Sequence, residues 1–413
     1  MYLMRLCLES FLLIFLLSCQ NTENLKAQTP LKSEGDAVNV QVNLDTLILG
    51  AERMDSIVNL LSNRKVGVVA NQTSTIGSQH LVDSLLSRSV DVKKVFSPEH
   101  GFRGKADAGA SVESGFDVKT GLPIISLYGS NKKPTDEQLK GLDVVLFDIQ
   151  DVGARFYTYI STLHYVMEAC AEKGIKVMVL DRPNPNGHYV DGPIRKEGFE
   201  SFVGMHPIPI VHGMTVGEIA QMINGEKWLN NGIQCELEII SMLNYSRDTQ
   251  YVLPIAPSPN LRSTASINLY PSLCLFEGTV VSIGRGTDRP FEVFGHPAFA
   301  NDSAFNYSFT PKPGAGAQHP KLEGEKCYGL DLGQQSVSES ITELNLSWLI
   351  QSYQQYDGTD FFTKRQRRFD LLAGTDELRK QIKAGKTEAE IRASWQEDLT
   401  VFKRKRAGYL LYP

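Results

Sequence analysis

Short apolar runs alternate with polar, helix-forming stretches along the first half of the chain. The clearest example begins with Val144 to Phe147, a continuous apolar run that turns abruptly polar at Asp148. A short run of β-branched and aromatic residues is typical of a strand buried on both faces, as in a parallel sheet. Apolar residues then recur at helical spacing from Ile160 to Cys170, and Gly174 suits the C-terminus of a helix. The pattern predicts a buried strand followed directly by a helix.

The same alternation predicts further strands at residues 66–70, 92–96, 124–128 and 177–180. Strands that alternate with helices favour an α/β fold with a Rossmann-like, doubly wound, mostly parallel sheet. Thr215 and Glu218 then form a capping-box pattern, which predicts the start of another helix.

A second, smaller α/β domain is predicted from residue 236 onward. Leu237 to Ile240 and Leu273 to Ile283 are the predicted strands of this part, and Glu277 interrupts the second. Helical patterns occupy about 338–356, 375–383 and 387–397. Since 413 residues are enough for two domains, we place these at 48–235 and 236–413.

The first residues have the pattern of an export signal. Arg5 precedes an apolar run, Phe11 to Leu17, that is too short to span a bilayer comfortably. The run ends in the sequence LLSC, which resembles a bacterial lipobox, so we expect a signal peptide at 1–18 and a lipid on Cys19. Residues 19–47 are then a polar tether. The protein would be lipid-anchored in the cell envelope, in the periplasm or at the outer membrane. The alternative is an ordinary signal peptide cleaved further on.

Composition excludes several classes of partner. The net charge is −5 and basic residues are interspersed with acids, which argues against nucleic acid, so the basic run 364–368 is interpreted as a solvated helix face. No dinucleotide fingerprint, P-loop or Cys/His cluster is present, so the sequence predicts no cofactor and no structural metal. The remaining cysteines lie in apolar contexts and are predicted to be buried small hydrophobes, although an exported protein permits a disulfide; they are Cys170, Cys235, Cys274 and Cys327.

Polar clusters follow the carboxyl ends of the predicted strands. Because parallel strands present these ends at one edge of the sheet, where ligands of open α/β folds bind, distant segments should converge on one site. The candidate binding residues at this edge are Asn71, Glu99, His100, Arg103, Asp148, Gln150, Asp151, Arg155, Tyr157, Asp181 and Asn184. Further candidates beyond it are His212, Glu277, Arg285 and Asp288.

Carboxylates are the strongest chemical candidates. Glu99 lies between a proline and a glycine just past a predicted strand, and a carboxyl near apolar walls can serve as a general acid. The alternative is that Glu99 only forms an ion pair with Arg103. Asp148 and Asp151 could supply the second carboxylate of a glycosidase. They could equally cap the following helix, or bind a metal together with Glu99 and His100.

Arginines in glycine-containing loops offer anion recognition. Arg103, Arg155 and Arg285 suit bidentate binding of a carboxylate or phosphate, although each could be structural. Glu277 lies in an apolar stretch, and a buried unpaired carboxylate is unfavourable, so we expect it to have a partner.

Several long motifs identify a family. The segments SPEHGFRG, FDIQDVGARFYTY, LDRPNPNG with DGPI, PIPIVHGMTVGE, LFEGT with GRGTDRPFE, and SWQEDLTVFKRKRAGYLLYP resemble the exo-β-N-acetylmuramidase family of glycoside hydrolases (YbbC/NamZ-like, formerly a domain of unknown function). The resemblance covers nearly everything after about residue 48. It implies a Rossmann-like domain, a smaller C-terminal domain and an active site in the cleft between them.

The resemblance also implies an activity. The family releases N-acetylmuramic acid from the non-reducing end of peptidoglycan fragments, and the glutamate of its S/A-P-E-H-G motif, Glu99 here, is the suspected catalytic residue. The lactyl carboxylate of muramic acid would give Arg103, Arg155 or Arg285 a ligand. The 2-acetamido group could attack the anomeric carbon, with Asp148 orienting it. The alternatives are a non-catalytic glycan-binding lipoprotein and a metal-dependent ester or amide hydrolase; the oligomeric state stays open.

Overall fold

The computed structural model describes residues 46–103, 114–333, 341–362 and 366–413. The predicted signal peptide and Cys19 lie outside these residues. In the part described, no helix is both long enough and apolar enough to cross a membrane.

Two β-sheets and a short hairpin make up the strands of the described residues. In chain order the strands are β1 (Lys65–Ala70), β2 (Thr75–Ile76), β3 (Gln79–His80), β4 (Asp91–Ser97), β5 (Gly115–Phe116), β6 (Pro123–Ser126), β7 (Val144–Asp148), β8 (Lys176–Leu180), β9 (Leu237–Ile240), β10 (Val293–His296), β11 (Tyr307–Phe309) and β12 (Cys327–Asp331). The larger sheet has seven strands in the order β5-β6-β4-β1-β7-β8-β9. All neighbours in it are parallel except the edge pair of β5 and β6.

The parallel part of this sheet has the doubly wound order expected of a Rossmann-like fold. The chain starts in the middle at β1, winds outward through β4 to β6, and then returns to β7 on the other side. The order therefore reverses beside β1, which is the topological switch point where such folds bind ligands. The predicted α/β fold class is confirmed.

Helices of the first half of the chain cover both faces of the larger sheet, and further helices follow in the second half. In chain order they are α1 (Met54–Leu60), α2 (Leu81–Ser87), α3 (Asp136–Leu139), α4 (Tyr159–Ala171), α5 (Val216–Gly225), α6 (Thr264–Leu273), α7 (Ser347–Gln355), α8 (Gln366–Ala373), α9 (Glu377–Lys383), α10 (Glu388–Ala393) and α11 (Gln396–Arg406). The capping box predicted for α5 is present, since the Thr215 hydroxyl accepts from the Glu218 amide and the Glu218 carboxylate accepts from the Thr215 amide. Short 3₁₀ turns occur at Gly50–Glu52, Asn230–Gly232, Cys274–Gly278, Pro297–Phe299 and Ala407–Tyr409.

Strand β7 shows why a continuous apolar run predicts a central strand. Val145 and Phe147 pack into the core on one face of the sheet, whereas Val144 and Leu146 pack into the core on the other. Both faces must be apolar because side chains alternate along a strand. Cys170, Cys235, Cys274 and Cys327 are buried and free, as their apolar contexts predicted.

Two predictions about the second half differ from the structure. Leu237–Ile240, assigned to the C-terminal domain, is β9 and pairs with β8 at the edge of the larger sheet. The predicted strand at Leu273 to Ile283 is wrong: Leu273 ends α6, and Cys274–Gly278 forms a 3₁₀ turn. An unbroken apolar run has no period of its own, so its pattern does not separate a buried helix from a buried strand. The smaller antiparallel sheet, in the order β10-β12-β11, follows instead.

The last residues of the chain fasten onto the larger sheet. The Tyr412 hydroxyl donates to Asp181 Oδ2 at 2.7 Å and accepts from the Met242 amide at 2.9 Å. The Leu411 amide donates to Glu218 Oε1 at 2.8 Å. The C-terminal tail thus completes the hydrogen bonding at the ends of β8 and β9.

Candidate active site

Glu99 lies in the turn that follows β4 at the carboxyl edge of the sheet. The turn is closed by a bond from the Gly101 amide to the Pro98 carbonyl at 3.2 Å. Gly101 has φ +80°, and His100 also has a positive φ of +74°. A non-glycine residue in this region is strained, and such strain is concentrated at functional sites. The turn buries His100 and leaves Glu99 partly accessible.

Two hydroxyl groups hold the Glu99 carboxyl. The Tyr128 hydroxyl donates to Oε1 at 2.8 Å, and Thr158 Oγ1 lies 3.5 Å from Oε2. Tyr128 follows β6, the neighbour of β4, while Thr158 precedes α4. Burial raises the pKa of Tyr128, and the charge of Glu99 raises it further, so Tyr128 stays a donor. Segments distant in sequence therefore meet at one carboxyl group, as the strand order predicts.

A second layer of aromatic and amide groups supports this turn. The Tyr159 hydroxyl lies 3.4 Å from the Glu99 carbonyl oxygen and accepts from Asn71 Nδ2 at 3.0 Å. Tyr157 packs edge-on against Tyr159 with ring centroids 4.9 Å apart. The Tyr157 hydroxyl donates to the Pro257 carbonyl at 2.8 Å. Asn71 and Tyr157 are both buried, so the structure assigns them to positioning Glu99 and not to direct contact with a ligand.

Asp148 is fully buried and forms an ion pair. Its Oδ1 accepts from Arg182 Nε at 2.5 Å and its Oδ2 accepts from Nη2 at 2.9 Å. The side-chain exposures are 0% for Asp148 and 3% for Arg182. The pair satisfies both oxygens, so Asp148 has no surface for an acetamide in this structure. The expected role of orienting the substrate is not supported by this environment, and a structural role is.

Asp151 and His212 form a second buried group. Asp151 Oδ2 accepts from the Gly153 amide at 2.7 Å and lies 3.8 Å from His212 Nε2, too far for a hydrogen bond. Burial raises the pKa of Asp151 to about 7 and lowers the pKa of His212 to about 3. His212 is therefore uncharged at neutral pH and Asp151 is partly protonated, and both side chains are buried.

Arg155 is buried within the protein. Its guanidinium donates to the carbonyls of Pro193, Ile208 and Leu372 at 2.6–2.9 Å. Its side chain is 0% exposed. Burial and the nearby Arg195 lower the pKa of Arg155 to about 9. Anion recognition by Arg155, which the sequence predicts as one possibility, is therefore excluded by its burial. Arg155 instead links the loop segments at Pro193 and Ile208 to the end of α8 at Leu372.

Three other residues predicted to bind a ligand form hydrogen bonds within the protein. Gln150 donates to two backbone carbonyls at 2.6 and 2.8 Å, and Asn184 donates to the Met214 carbonyl at 2.9 Å. Asp181 accepts from Thr215 and from the amide of Gly217 at the start of α5. Burial raises the pKa of Asp181 to about 6. All three side chains lie in the interior.

Arg103 and Asp288 lie at the surface. Arg103 binds Asp117 through two bonds of 2.7 and 2.9 Å and lies 3.4 Å from Asp83. These bonds to Arg103 lower the pKa of Asp117 to about 2. Arg103 thus pairs with two aspartates. Asp288 is exposed in the loop after Arg285.

Glu277 has the partners that its apolar context requires. Its Oε1 accepts from Arg285 Nη2 and its Oε2 accepts from Arg368 Nη2, both at 2.6 Å. Burial alone would raise the pKa of Glu277, but the two arginines lower it to about 2. Arg367 and Arg368 are exposed, which agrees with the interpretation of the basic run as a solvated helix face. Each also binds within the protein, since Arg368 donates to Glu277 and Arg367 donates to the Gly198 carbonyl at 2.7 Å.

Sequence reasoning missed Tyr128, Thr158 and Arg368. Tyr128 ends a predicted strand, so it counted as core, although its position at the carboxyl edge is the signal that could have found it. Thr158 lies inside a motif singled out for its acids and tyrosines. Arg368 stands 91 positions from Glu277, and no local pattern reveals such a contact.

Comparison with known proteins decides the family. Residues 66–265 match the model for the N-terminal part of the exo-β-N-acetylmuramidase NamZ, and residues 268–412 match the model for its C-terminal part. The chain belongs to the NamZ family. The resemblance inferred from the motifs is thereby confirmed. Glu99 falls within the N-terminal NamZ model, whereas Glu277, Arg285 and Arg368 fall within the C-terminal one.

Relatives and solved structures agree with this assignment. The chain is 38% identical over 396 residues to the peptidoglycan β-N-acetylmuramidase NamZ of Bacillus subtilis strain 168, covering 90% of this chain and 91% of that protein. Two crystal structures of DUF1343 family proteins from Bacteroides fragilis NCTC 9343 have the same fold. One superposes with a TM-score of 0.81 at 45% identity, covering 89% of this chain and 99% of the other. The second has a TM-score of 0.75 at 29% identity, covering 89% and 100%.

Proposed function

We propose that this NamZ family member is an exo-acting glycoside hydrolase that releases N-acetylmuramic acid from the non-reducing end of peptidoglycan fragments, in cell-wall turnover. The observation that carries the proposal is the environment of Glu99. A partly accessible carboxyl is presented by a strained turn at the carboxyl edge of a parallel sheet, and Tyr128 holds it at 2.8 Å. The name of the Bacillus subtilis relative supports the choice of substrate.

Glu99 is the general acid of this proposal. Its proton passes to the glycosidic oxygen while the bond from that oxygen to the anomeric carbon breaks. The hydroxyls of Tyr128 and Thr158 fix the carboxyl from two sides, which keeps it oriented toward one leaving group. Orientation of this kind lowers the entropy lost in reaching the transition state.

The substrate itself supplies the nucleophile. Asp148 is fully buried in an ion pair, and the Asp151 side chain is also buried. A nucleophilic or water-activating carboxylate must reach the sugar, and neither group does. We therefore infer that the carbonyl oxygen of the 2-acetamido group bonds to the anomeric carbon as the leaving group departs. This bond closes a five-membered ring on the sugar. Water then attacks the anomeric carbon, the bond from that carbon to the acetamido oxygen breaks, and the water gives a proton to the Glu99 carboxylate. Because the anomeric carbon is attacked twice from opposite sides, the β configuration is retained.

The role of Glu99 is tested with the variant Glu99→Gln and a chromogenic β-N-acetylmuramide. We expect a folded protein whose kcat is lower by about 10²–10⁴-fold, the usual contribution of general acid catalysis. The thermal midpoint of the variant serves as the control for folding. Turnover at the wild-type rate would remove Glu99 from the mechanism.

Two further measurements test the reaction class. The wild-type protein is assayed with and without a chelator: activity that the chelator abolishes would indicate a metal-dependent hydrolase, and a folded protein that releases nothing would be a glycan-binding protein. A muramide that lacks the N-acetyl group tests the nucleophile. Cleavage of this substrate as fast as the acetylated one would exclude attack by the acetamide.

We also propose that the protein is anchored to a membrane of the cell envelope through a lipid on Cys19. The short apolar run and the cysteine that directly follows it support this. Cys19→Ser should abolish incorporation of labelled fatty acid and move the protein to the soluble fraction or leave its signal uncleaved. Membrane partitioning of Cys19→Ser that equals that of the wild type would argue against the anchor.

A further inference from the structure

Two arginines share one carboxylate in the C-terminal half of the chain. Glu277 binds Arg285 through one oxygen and Arg368 through the other, both at 2.6 Å. A guanidinium has five N–H donors, and the bond to Glu277 uses one donor of each arginine. The side chains of Arg285 and Arg368 are 27% and 53% exposed, against 15% for Glu277. We call these three residues the arginine pair site.

The arginine pair site has an excess of positive charge. One carboxylate faces two guanidinium groups, which leaves a net charge of +1. Lys321 adds to this charge, because its ammonium group is close enough to interact with the charges of Glu277, Arg285 and Arg368. The ammonium donates to three backbone carbonyls, those of Phe276, Thr279 and Val281. Burial lowers the pKa of Lys321 to about 8, so it is still largely protonated at neutral pH. A carboxylate ligand would offset part of this positive charge, and guanidinium forks match carboxylates bidentately.

A row of packed aromatic rings connects the arginine pair site to the turn of Glu99. The Phe291 ring centroid lies 5.0 Å from that of Tyr270, which lies 5.8 Å from that of Tyr157. Tyr157 in turn packs 4.9 Å from Tyr159, whose hydroxyl lies 3.4 Å from the Glu99 carbonyl oxygen.

The Tyr128 hydroxyl binds Glu99 at 2.8 Å, and the positive charge of Arg368 partly offsets the rise that burial and Glu99 cause in the pKa of Tyr128. Arg368 therefore lies within electrostatic reach of the group that holds Glu99. Arg285 is fixed in turn, since its guanidinium carbon lies 5.0 Å from the centroid of the Phe291 ring.

We propose that Arg285 and Arg368, positioned by Glu277, bind the lactyl carboxylate of the muramic acid residue whose glycosidic bond Glu99 cleaves. This inference rests on the proposed function and adds the group that selects muramic acid over N-acetylglucosamine. The two sugars differ only in the lactyl ether at the 3-position, so a site for its carboxylate is a specificity site. Of the three arginines predicted from sequence, Arg155 is buried, and Arg103 faces two aspartates, which leave it no excess of positive charge. Arg285 instead shares a single carboxylate with Arg368.

The test pairs two substrates with two variants. The substrates are a chromogenic β-N-acetylmuramide and its carboxamide, which keeps the lactyl shape without the charge. Arg368→Ala removes the more exposed arginine and leaves Glu277 bound to Arg285, so the fold should persist. Arg367→Ala is the matched control, because Arg367 is the neighbouring residue of α8 and binds a carbonyl elsewhere.

We expect the wild type to favour the carboxylate over the carboxamide by about 10- to 100-fold in kcat/KM, the range of a charged hydrogen bond. Arg368→Ala should reduce this preference at least about tenfold, through the carboxylate substrate alone, and Arg367→Ala should keep it. Equal losses on both substrates, or an unchanged preference in Arg368→Ala, would overturn the proposal.

Binding without turnover separates this proposal from the proposed function. N-acetylmuramic acid and N-acetylglucosamine are titrated calorimetrically into the wild type, Arg368→Ala and Arg367→Ala. Binding of muramic acid that is at least about tenfold tighter in the wild type than in Arg368→Ala supports the arginine pair site even if neither chromogenic substrate is hydrolysed. Muramic acid affinities that are equal in the wild type and Arg368→Ala contradict the site even if hydrolysis is confirmed.

Discussion

The ion pair of Asp148 and Arg182 makes Asp148→Asn the most informative single substitution. The variant keeps the shape of the side chain but leaves the Arg182 charge buried without its counter-ion. Breaking one side of a buried pair costs about 3–5 kcal/mol. With an unfolding entropy of about 2.1 cal/mol/K per residue, the unit from Asp45 to Pro413 has an entropy of about 0.8 kcal/mol/K. The loss should therefore lower Tm by about 4–6 °C.

The assay measures Tm and kcat on the same preparation, with kcat determined well below the transition. We expect Asp148→Asn to lower Tm by that amount while the folded protein keeps most of its kcat. Arg182→Gln should lower Tm similarly, since it breaks the same pair from the other side. Asp55→Asn is the control: Asp55 pairs with Arg88 at the surface, and such pairs contribute about 0–1 kcal/mol. A Tm unchanged in Asp148→Asn together with a loss of kcat beyond about 100-fold would refute the reasoning and return Asp148 to the catalytic step.

Two other predictions concern the groups around this edge. Tyr128→Phe removes the hydroxyl that donates to Glu99 Oε1 and favours the carboxylate. We expect kcat to fall about tenfold and the alkaline limb of the kcat/KM profile to move up by about one pH unit. An alkaline limb at the wild-type pH would show that the hydroxyl does not act on Glu99. Asp151 has a pKa raised to about 7 against an ordinary 3.8, so the folded state holds one more proton than the unfolded state between these values and loses stability as pH rises through them. Asp151→Asn removes this penalty, and its urea midpoint should improve relative to the wild type between pH 5 and 7.5; a constant difference between the two proteins would contradict the raised pKa.

Local patterns predicted the fold because the elements that build it carry local signals. The run Val144 to Phe147 is buried on both faces of the sheet, so every position in it is apolar and the sequence pattern of a buried strand is complete. Thr215 and Glu218 mark the start of α5 in the sequence, because the hydrogen bonds of the capping box join residues only three positions apart. By contrast, Leu273 is helical although the run around it looked like a strand, because packing and not periodicity decides such a run.

The positions of the candidate residues follow from the sequence more readily than their contacts do. The sequence shows which polar residues follow the strands, and the structure places Glu99 at the carboxyl edge of the sheet, while its catalytic role stays a prediction. The sequence does not show which of these polar residues bind one another: Asp148 meets Arg182 across 34 positions, and Glu277 meets Arg368 across 91. A polar residue at a strand end can face a ligand or another strand end, and only the three-dimensional partner distinguishes the two.

The C-terminal tail has a consequence for the order in which the protein is made. Tyr412 follows its partner Asp181 by 231 positions, and ribosomes add about 5–20 residues per second. The Asp181 carboxylate thus waits about 10–50 s for the hydroxyl that completes its bonding. The ends of β8 and β9 therefore receive their final hydrogen bonds only after the last residues of the chain have been made.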